Sequence, residues 1–179
     1  MKLRHKNLLI RLATVEDAPY LCKYWHESGW DISLEKACEM LATGTKQHII
    51  EFDDRIIGDI HYGDLGEKTA EVGIFIRDEN ERGKGNGKRA LAMYMYTLLH
   101  DLDYERIRLS TSVDNKGMRY IAENKFKLIG TVHENIYQEQ TGTYESYIEY
   151  FLNKEDWPDG ILTRSYNFDS IRKNETEER

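Results

Sequence analysis

The chain has 179 residues, 32% of them charged, which is material for one compact domain and argues against a two-domain enzyme. Lys plus Arg number 25 against 32 Asp plus Glu, a formal charge of −7, and that acidity argues against a protein whose main task is coating nucleic acid, although a local basic patch remains allowed. A hydrophobic share of 40%, with 3 Trp, 12 Tyr and 5 Phe, supplies a packed core beneath the charged surface. Cys22 and Cys38 are the only cysteines, and neither a CxxC pair nor a Cys/His cluster at ligand spacing occurs, so a reduced, cytoplasmic protein without a metal is expected. The apolar run of MKLRHKNLLIRL breaks at Arg11, too short for a signal-peptide core, and no segment has the apolar length of a membrane span.

Taken in chain order, Leu8 to Leu12 reads as a strand, and Thr14 or Asp17 then caps a helix that tolerates Pro19 in its first turn and ends near Ser28 and Gly29. Ser33 caps a second helix carrying Leu34, Cys38 and Leu41, stopped by Gly44. Gln47 to Phe52 and Arg55 to Tyr62 flank the turn Asp53-Asp54 as a hairpin, and Glu71 to Arg77 alternates as a further strand. A basic glycine-rich loop, Arg82 to Gly87, feeds a helix from Lys88 to His100 with Leu91, Met95 and Leu98 on one stripe. Ile107 to Val113 is the next strand, Asn115 to Asn124 a short helix, and Phe126 to Glu134 and Thr143 to Leu152 the last strands. The helix between the Glu71 and Ile107 strands implies one parallel crossover in a mostly antiparallel sheet. The expected architecture is a single α/β (α+β) domain over residues 1–157, with six to seven strands and about four helices, and a poorly ordered tail over 158–179.

Arg82-Gly83-Lys84-Gly85-Asn86-Gly87 is the most informative stretch. Three glycines in five residues let backbone N–H groups converge where a helix begins, and such a nest binds phosphate. Arg82, Lys84, Lys88 and Arg89 add positive charge in an otherwise acidic chain, so a polyphosphate ligand is the economical reading, against the alternative of an ordinary surface loop. A nucleotide P-loop fails on two letters: Arg82 stands five residues before Gly87 where glycine is required, and Arg89 follows Lys88 where a hydroxyl is required. A dinucleotide fingerprint fails because the third glycine comes one residue too soon.

The same six residues fit [Q/R]-x-x-G-x-[G/A] and resemble the coenzyme A pyrophosphate loop of the GNAT superfamily of acyl-CoA-dependent N-acetyltransferases. AEVGIFI before the loop, KRALAMYMYTLL after it, the opening LIRLATVEDAPYL, the hairpin IIEFDDRIIGDI and the closing FKLIG and GTYESYIEYFLNKEDW extend the resemblance over residues 8–157. The closing stretch looks most like the ribosomal-protein alanine, polyamine and aminoglycoside acetyltransferases. The resemblance implies acetyl-CoA as co-substrate, with the loop residues Arg82 to Lys88 on its pyrophosphate and Phe75, Ile76, Arg77 and Asn115 along its pantetheine arm. It implies transfer to a primary amine by direct attack, the acceptor being a cationic small molecule or a peptide N-terminus. An acyl-CoA-binding module without efficient catalysis, and an anionic-surface or nucleic-acid binder acting through the basic loop, are the rival classes.

Acetyl transfer sets its own requirements. An alkyl ammonium with a pKa near 10 must lose a proton before attack, and a carboxylate, directly or through water, can take it. Glu71 matches the position where family members carry a catalytic glutamate; its alternative is a solvated strand-edge acid. Backbone N–H groups of Gly73, Ile74 and Phe75, splayed by a bulge, are expected to hold the oxyanion. For the general acid, the family pattern places Met118 at its small residue and Ala122 at its tyrosine, and two residues of helix turn Tyr120 about 200° away from the site. Tyr120 would serve if a one-residue irregularity rotates it inward; Tyr137, Tyr144, Tyr147 or water are the alternatives. Trp25, Trp30 and Asp31 fall where the family places its acceptor wall, an aromatic and acidic wall suiting a cation, while Trp25 reads equally as core. The last strand pair leaves an edge that a homodimer could cover.

Overall fold

Short alternating segments assemble the sheet from its N-terminal edge. The computed structural model describes residues 1–27, 31–138 and 142–161. It begins with a hairpin of β1 (Lys2–His5) and β2 (Leu8–Leu12). The sequence pattern does not announce β1, because only Leu3 and His5 turn inward between exposed Lys2 and Arg4, too few positions for a period to show. After β2, the carboxylate of Asp17 accepts the Thr14 N–H at 2.8 Å and both arms of the Arg11 guanidinium at 2.7 and 2.9 Å. That closes a 3-10 turn (Val15–Asp17) from which α1 (Ala18–Glu27) starts, with Pro19 in its first turn. Ser33 caps α2 (Leu34–Ala42), its hydroxyl accepting the Lys36 N–H at 3.2 Å.

β3 (Gln47–Phe52) and β4 (Arg55–Asp64) meet through Asp53 and Asp54, both left-handed at φ 49 and 57, the pair of conformations that matches a two-residue hairpin to strand twist. β5 (Thr69–Ile76) completes this meander; α3 (Asn86–His100) carries the crossover to β6 (Arg106–Ser112). α4 (Lys116–Tyr120) runs on as a wider π-turn over Ile121–Lys125, and β7 (Gly130–Gln138) and β8 (Thr143–Asn153) finish the sheet. The strand order is β1-β2-β3-β4-β5-β6-β8-β7, antiparallel except for β5 with β6. The sheet thus has eight strands, β1 being the addition to the six or seven expected.

Successive β3 residues Ile49 and Ile50 point to opposite faces, and each seeds a core. Ile50 joins Leu8, Ile10, Ile60 and Val72 under α3, whose Leu91, Met95 and Leu98 are fully buried. Ile49 packs with Leu21, Cys22, Ala37 and Leu41 beneath α1 and α2. Phe126, expected to open a strand, is instead a core plug, 1% exposed and edge-on to Trp157 at 5.9 Å between ring centroids. Its N–H bonds to the Ile121 carbonyl and the Leu128 N–H to the Ala122 carbonyl, so β7 starts four residues later than the alternation suggests. Residues 158–161 form a short turn after Trp157; the remainder of the expected tail lies outside the described residues.

Candidate active site

The parallel pair β5 and β6 holds together over only three positions, Thr69↔Arg106, Ala70↔Ile107 and Glu71↔Arg108. Beyond Glu71 each strand keeps its other neighbour: β5 stays in unbroken register with β4 as far as Gly58↔Ile76, and β6 with β8 as far as Ser112↔Tyr147. The sheet therefore splits between β5 and β6, and it does so without the expected bulge in β5. The split opens a cleft of about 650 Å³. Ile74, Phe75, Ile76 and Arg77 form one wall, Asn115, Met118, Tyr120 and Ile121 the other, and Arg82, Gly83, Gly85, Gly87 and Lys88 close one end.

That closed end is built for an anion. Asp78 caps a 3-10 turn (Glu79–Glu81), after which Gly83 and Gly85 adopt left-handed φ of 75 and 86. Gly85 is the N-cap of α3 and brings no side chain to it, and the first backbone bond of the helix runs from the Arg89 N–H to the Gly85 carbonyl. The N–H groups of the first turn accordingly point out of the helix end, where the helix dipole also favours negative charge. A Cβ built on Gly83 or Gly85 would meet no protein atom within 4 Å, so the space above the loop is open to a ligand.

The loop's side chains divide the labour differently from the sequence expectation. Arg82 lies along the cleft, its Nε donating to the Ile76 carbonyl at 2.8 Å, and Lys88 lines the cleft. Lys84 and Asn86 turn instead to Glu81, at 3.3 and 2.8 Å, so these two offer a ligand their backbone only. Asn86 is 1% exposed and also accepts from Arg89. Glu81, 5% exposed and paired in addition with Arg55 at 3.4 Å, is the residue that sequence reasoning missed. Its signal was an acid three residues before Lys84 and five before Asn86 in a loop otherwise basic.

On β5, Ala70 and Val72 face the core, so Glu71, Gly73 and Phe75 present the opposite face. Glu71 stands at the last paired position, 3.7 Å from the Arg108 guanidinium, which is itself 2.7 Å from Glu149. Across from Gly73 lies His61 of β4, whose ring stacks on Phe75 at 6.4 Å. Arg77 makes a salt bridge with buried Asp59 at 2.8 Å and lies over the rings of Phe75 and Tyr24. Tyr24 is therefore the aromatic that α1 brings to this face; Trp25 packs into the cluster under α1 and α2. Asp31 is exposed, and Trp30 lies outside the described residues.

α4 also departs from the sequence expectation. Ala122 is fully buried in the core, whereas Tyr120 is 53% exposed and lines the cleft. Tyr120 therefore reaches the cleft with ordinary helical geometry, because Ala122 faces the core rather than the site, and the π-turn begins only after it. Asn115 caps α4 by accepting the Met118 N–H at 3.1 Å and donates to the Thr111 hydroxyl at 2.9 Å. Thr111 belongs to a second cavity, of about 490 Å³, between β6 and the β7–β8 hairpin, lined also by Arg108, Tyr137 and Tyr147. One hydrogen bond thus joins the walls of the two cavities. Tyr144 packs against Tyr137 at 5.2 Å and is 70% exposed.

A family model described as an acetyltransferase (GNAT) domain matches residues 7–127. The chain belongs to the GNAT acetyltransferase family. It is an acetyl-CoA-dependent N-acetyltransferase by that membership. Solved structures share the fold. A probable acetyltransferase superposes with TM-score 0.71 at 18% identity, covering 88% of this chain and 99% of its own. The ribosomal-protein-S5-alanine acetyltransferase of Vibrio fischeri gives 0.69 at 16%, covering 88% and 99%. A ribosomal L7/L12 α-N-protein acetyltransferase in complex with coenzyme A gives 0.68 at 17%, covering 86% and 98%. No curated protein matches the chain.

Proposed function

We propose that this GNAT protein moves the acetyl group of acetyl-CoA onto a primary amine, carried by a cationic small molecule or by a peptide or protein N-terminus, through direct attack. The observation that carries this reading is the position of Glu71: it is the last residue before β5 and β6 part, so a carboxylate stands where the coenzyme cleft meets the opposite face of the sheet. Acetyl-CoA brings an activated acyl thioester. The protein's part is to hold it and to handle protons. The N–H groups at the start of α3, with Arg82 and Lys88, neutralise the pyrophosphate. The backbone of Ile76 and Arg77 and the side chain of Asn115 guide the pantetheine arm, and the acyl oxygen, as it gains charge, is steadied by the Ile74 N–H; those of Gly73 and Phe75, also expected there, point to β4 because no bulge interrupts the ladder. Glu71 takes the amine proton, and the Tyr120 phenol, on the facing wall, supplies one to the departing sulfur.

The acidic balance of the chain and the Tyr24, Phe75 and Tyr147 rings on this side favour a cationic acceptor, and two of the structural neighbours carry names that specify ribosomal-protein amines. A cytoplasmic site of action fits the free thiols of Cys22 and Cys38, and β7, at the sheet edge, is where a homodimer would form. The test is thiol release from acetyl-CoA across polyamines, aminoglycosides and peptides with free N-termini. At least one acceptor should give turnover that falls by about a hundredfold or more in Glu71→Gln. Retained coenzyme binding with no turnover on any acceptor would refute transfer and leave a binding module.

A further inference from the structure

One half-buried histidine on the acceptor side of the sheet has no place in the scheme above. His61 of β4 is in register with Gly73 of β5, and Glu71 is the next residue along β5 on the same face. A Cβ at position 73 would lie 2.4 Å from Cε1 and 2.6 Å from Nε2 of His61, so the imidazole edge rests on the bare backbone of Gly73, just beyond the point where β5 and β6 part. Phe75 stacks against the ring at an interplanar angle of 18°, and the same Phe75 lines the coenzyme cleft. Nδ1 is buried with no hydrogen-bond partner among the described residues, an arrangement that costs stability. The ring is thus fixed between the coenzyme wall and Glu71.

We infer that His61 is a catalytic residue that takes the first proton from the acceptor ammonium and holds it against Glu71. The inference rests on the acetyl-transfer reading and names the group between amine and carboxylate. The acceptor arrives as R–NH₃⁺. Nε2 of His61 accepts one proton, which frees the nitrogen lone pair; the N–C bond forms as the C–S bond breaks, and the second proton passes to the leaving sulfur. The products are the amide, the free thiol and one proton, which the imidazolium hands by way of Glu71 to solvent. Glu71 lowers the energy of the transient imidazolium by its charge.

Burial holds His61 below the ordinary histidine range, so the ring is neutral and able to accept at neutral pH. The charged and titratable groups that face it are Asp59 on β4, Glu71 and Arg77 on and after β5, and His48 on β3. Asp59 is taken up by Arg77 at 2.8 Å and by Gln47 at 3.1 Å, whereas Glu71 has only a longer contact of 3.7 Å with an Arg108 that Glu149 holds at 2.7 Å, so Glu71 is the less committed of the two carboxylates.

The test uses His61→Gln and His61→Ala in the full chain, with coenzyme A affinity as the control for an intact fold. For the best acceptor of the wild type, kcat should fall by about a hundredfold or more while the KM for acetyl-CoA stays within twofold. The acid limb of kcat/KM should move from the histidine toward the carboxylate range, and free imidazole should restore part of the rate of His61→Ala. In the wild type, the His61 titration followed by NMR should coincide with that limb, which keeps the inference open to test even if both variants misfold. A kcat within threefold of wild type overturns it, as does a loss with an unmoved acid limb and no imidazole rescue, which marks a structural role. Absence of turnover in the wild type with every acceptor would instead count against acetyl transfer itself.

Discussion

Gly85→Asp separates the anion site from the fold that carries it. Gly85 is left-handed at φ 86 and caps α3, and Asp is among the few residues that tolerate this conformation and are favoured at an N-cap. A Cβ there meets nothing within 4 Å, so the steric cost is only the strain of the left-handed φ, which an uncharged Asn at the same position shares. What changes is the field at the nest. A carboxylate roughly 5 Å from a phosphate charge, at an effective dielectric of about 20, opposes it by about 3 kcal/mol; screening at the open mouth of the cleft reduces this to about 2 kcal/mol, or roughly thirtyfold in affinity. Gly85→Asn is the matched control, with the same shape, the same conformational tolerance and no charge. Calorimetric titration with coenzyme A should show the Asp variant binding roughly thirtyfold more weakly than the Asn variant, the gap narrowing as salt is raised. Equal affinities in the two variants, both folded by circular dichroism, would refute the placement of the pyrophosphate on this loop.

Glu81 supports the same loop from beneath. Glu81→Gln keeps an acceptor for Asn86 and should change the urea midpoint little, whereas Glu81→Ala leaves the buried Asn86 amide unpaired and should cost about 1–3 kcal/mol, with the larger loss of coenzyme affinity; the reverse order would contradict the support role. His48 makes a pH prediction. Burial lowers its pKa from 6.5 to about 4, so between those values the unfolded chain binds a proton that the folded one does not, and stability falls as pH drops from about 6.5 to about 4, by up to about 3 kcal/mol from this group. Since His5, His61 and His100 are lowered too, the readout is a difference: urea midpoints at pH 4.5 and 7 should lie closer together in His48→Gln than in the wild type, and an unchanged gap would refute the assignment.

The parts of the site that act through backbone were readable in the sequence. A nest needs glycine at alternate positions, so Gly83, Gly85 and Gly87 declare themselves, and Asp53-Asp54 does so for the hairpin because few residue pairs are both left-handed there. Parts that depend on which side chains meet across the fold were not. Glu81 looks like one more surface acid until Asn86 and Lys84 fold back on it. Tyr120 and Ala122 do point to different sides, as about 100° per residue requires; the sequence misleads only on which of the two faces the cleft, because Ala122 packs in the core and Tyr120 lines the cleft. Phe126 belongs by alternation to a strand and by volume to the core, and the core prevails because the Phe126 and Leu128 N–H groups find carbonyls in the preceding turn, so burying the ring leaves these groups paired. Tyr24 and Trp25 are adjacent aromatics on one helix, and only the packing of α1 on α2 decides which of them reaches the site. The role argued for His61 requires the register of β4 on β5, since only that places its ring over a glycine.

The account's central claim is that coenzyme A occupies the gap where β5 leaves β6, with its pyrophosphate at the start of α3. Titrating it into ¹⁵N-labelled protein tests this directly. The backbone amides of Gly83, Gly85, Gly87 and Lys88, together with those of Ile74 to Ile76, should shift together and saturate at one binding constant. Saturable shifts confined to another region, or no shifts in this set at saturating coenzyme A, would contradict it.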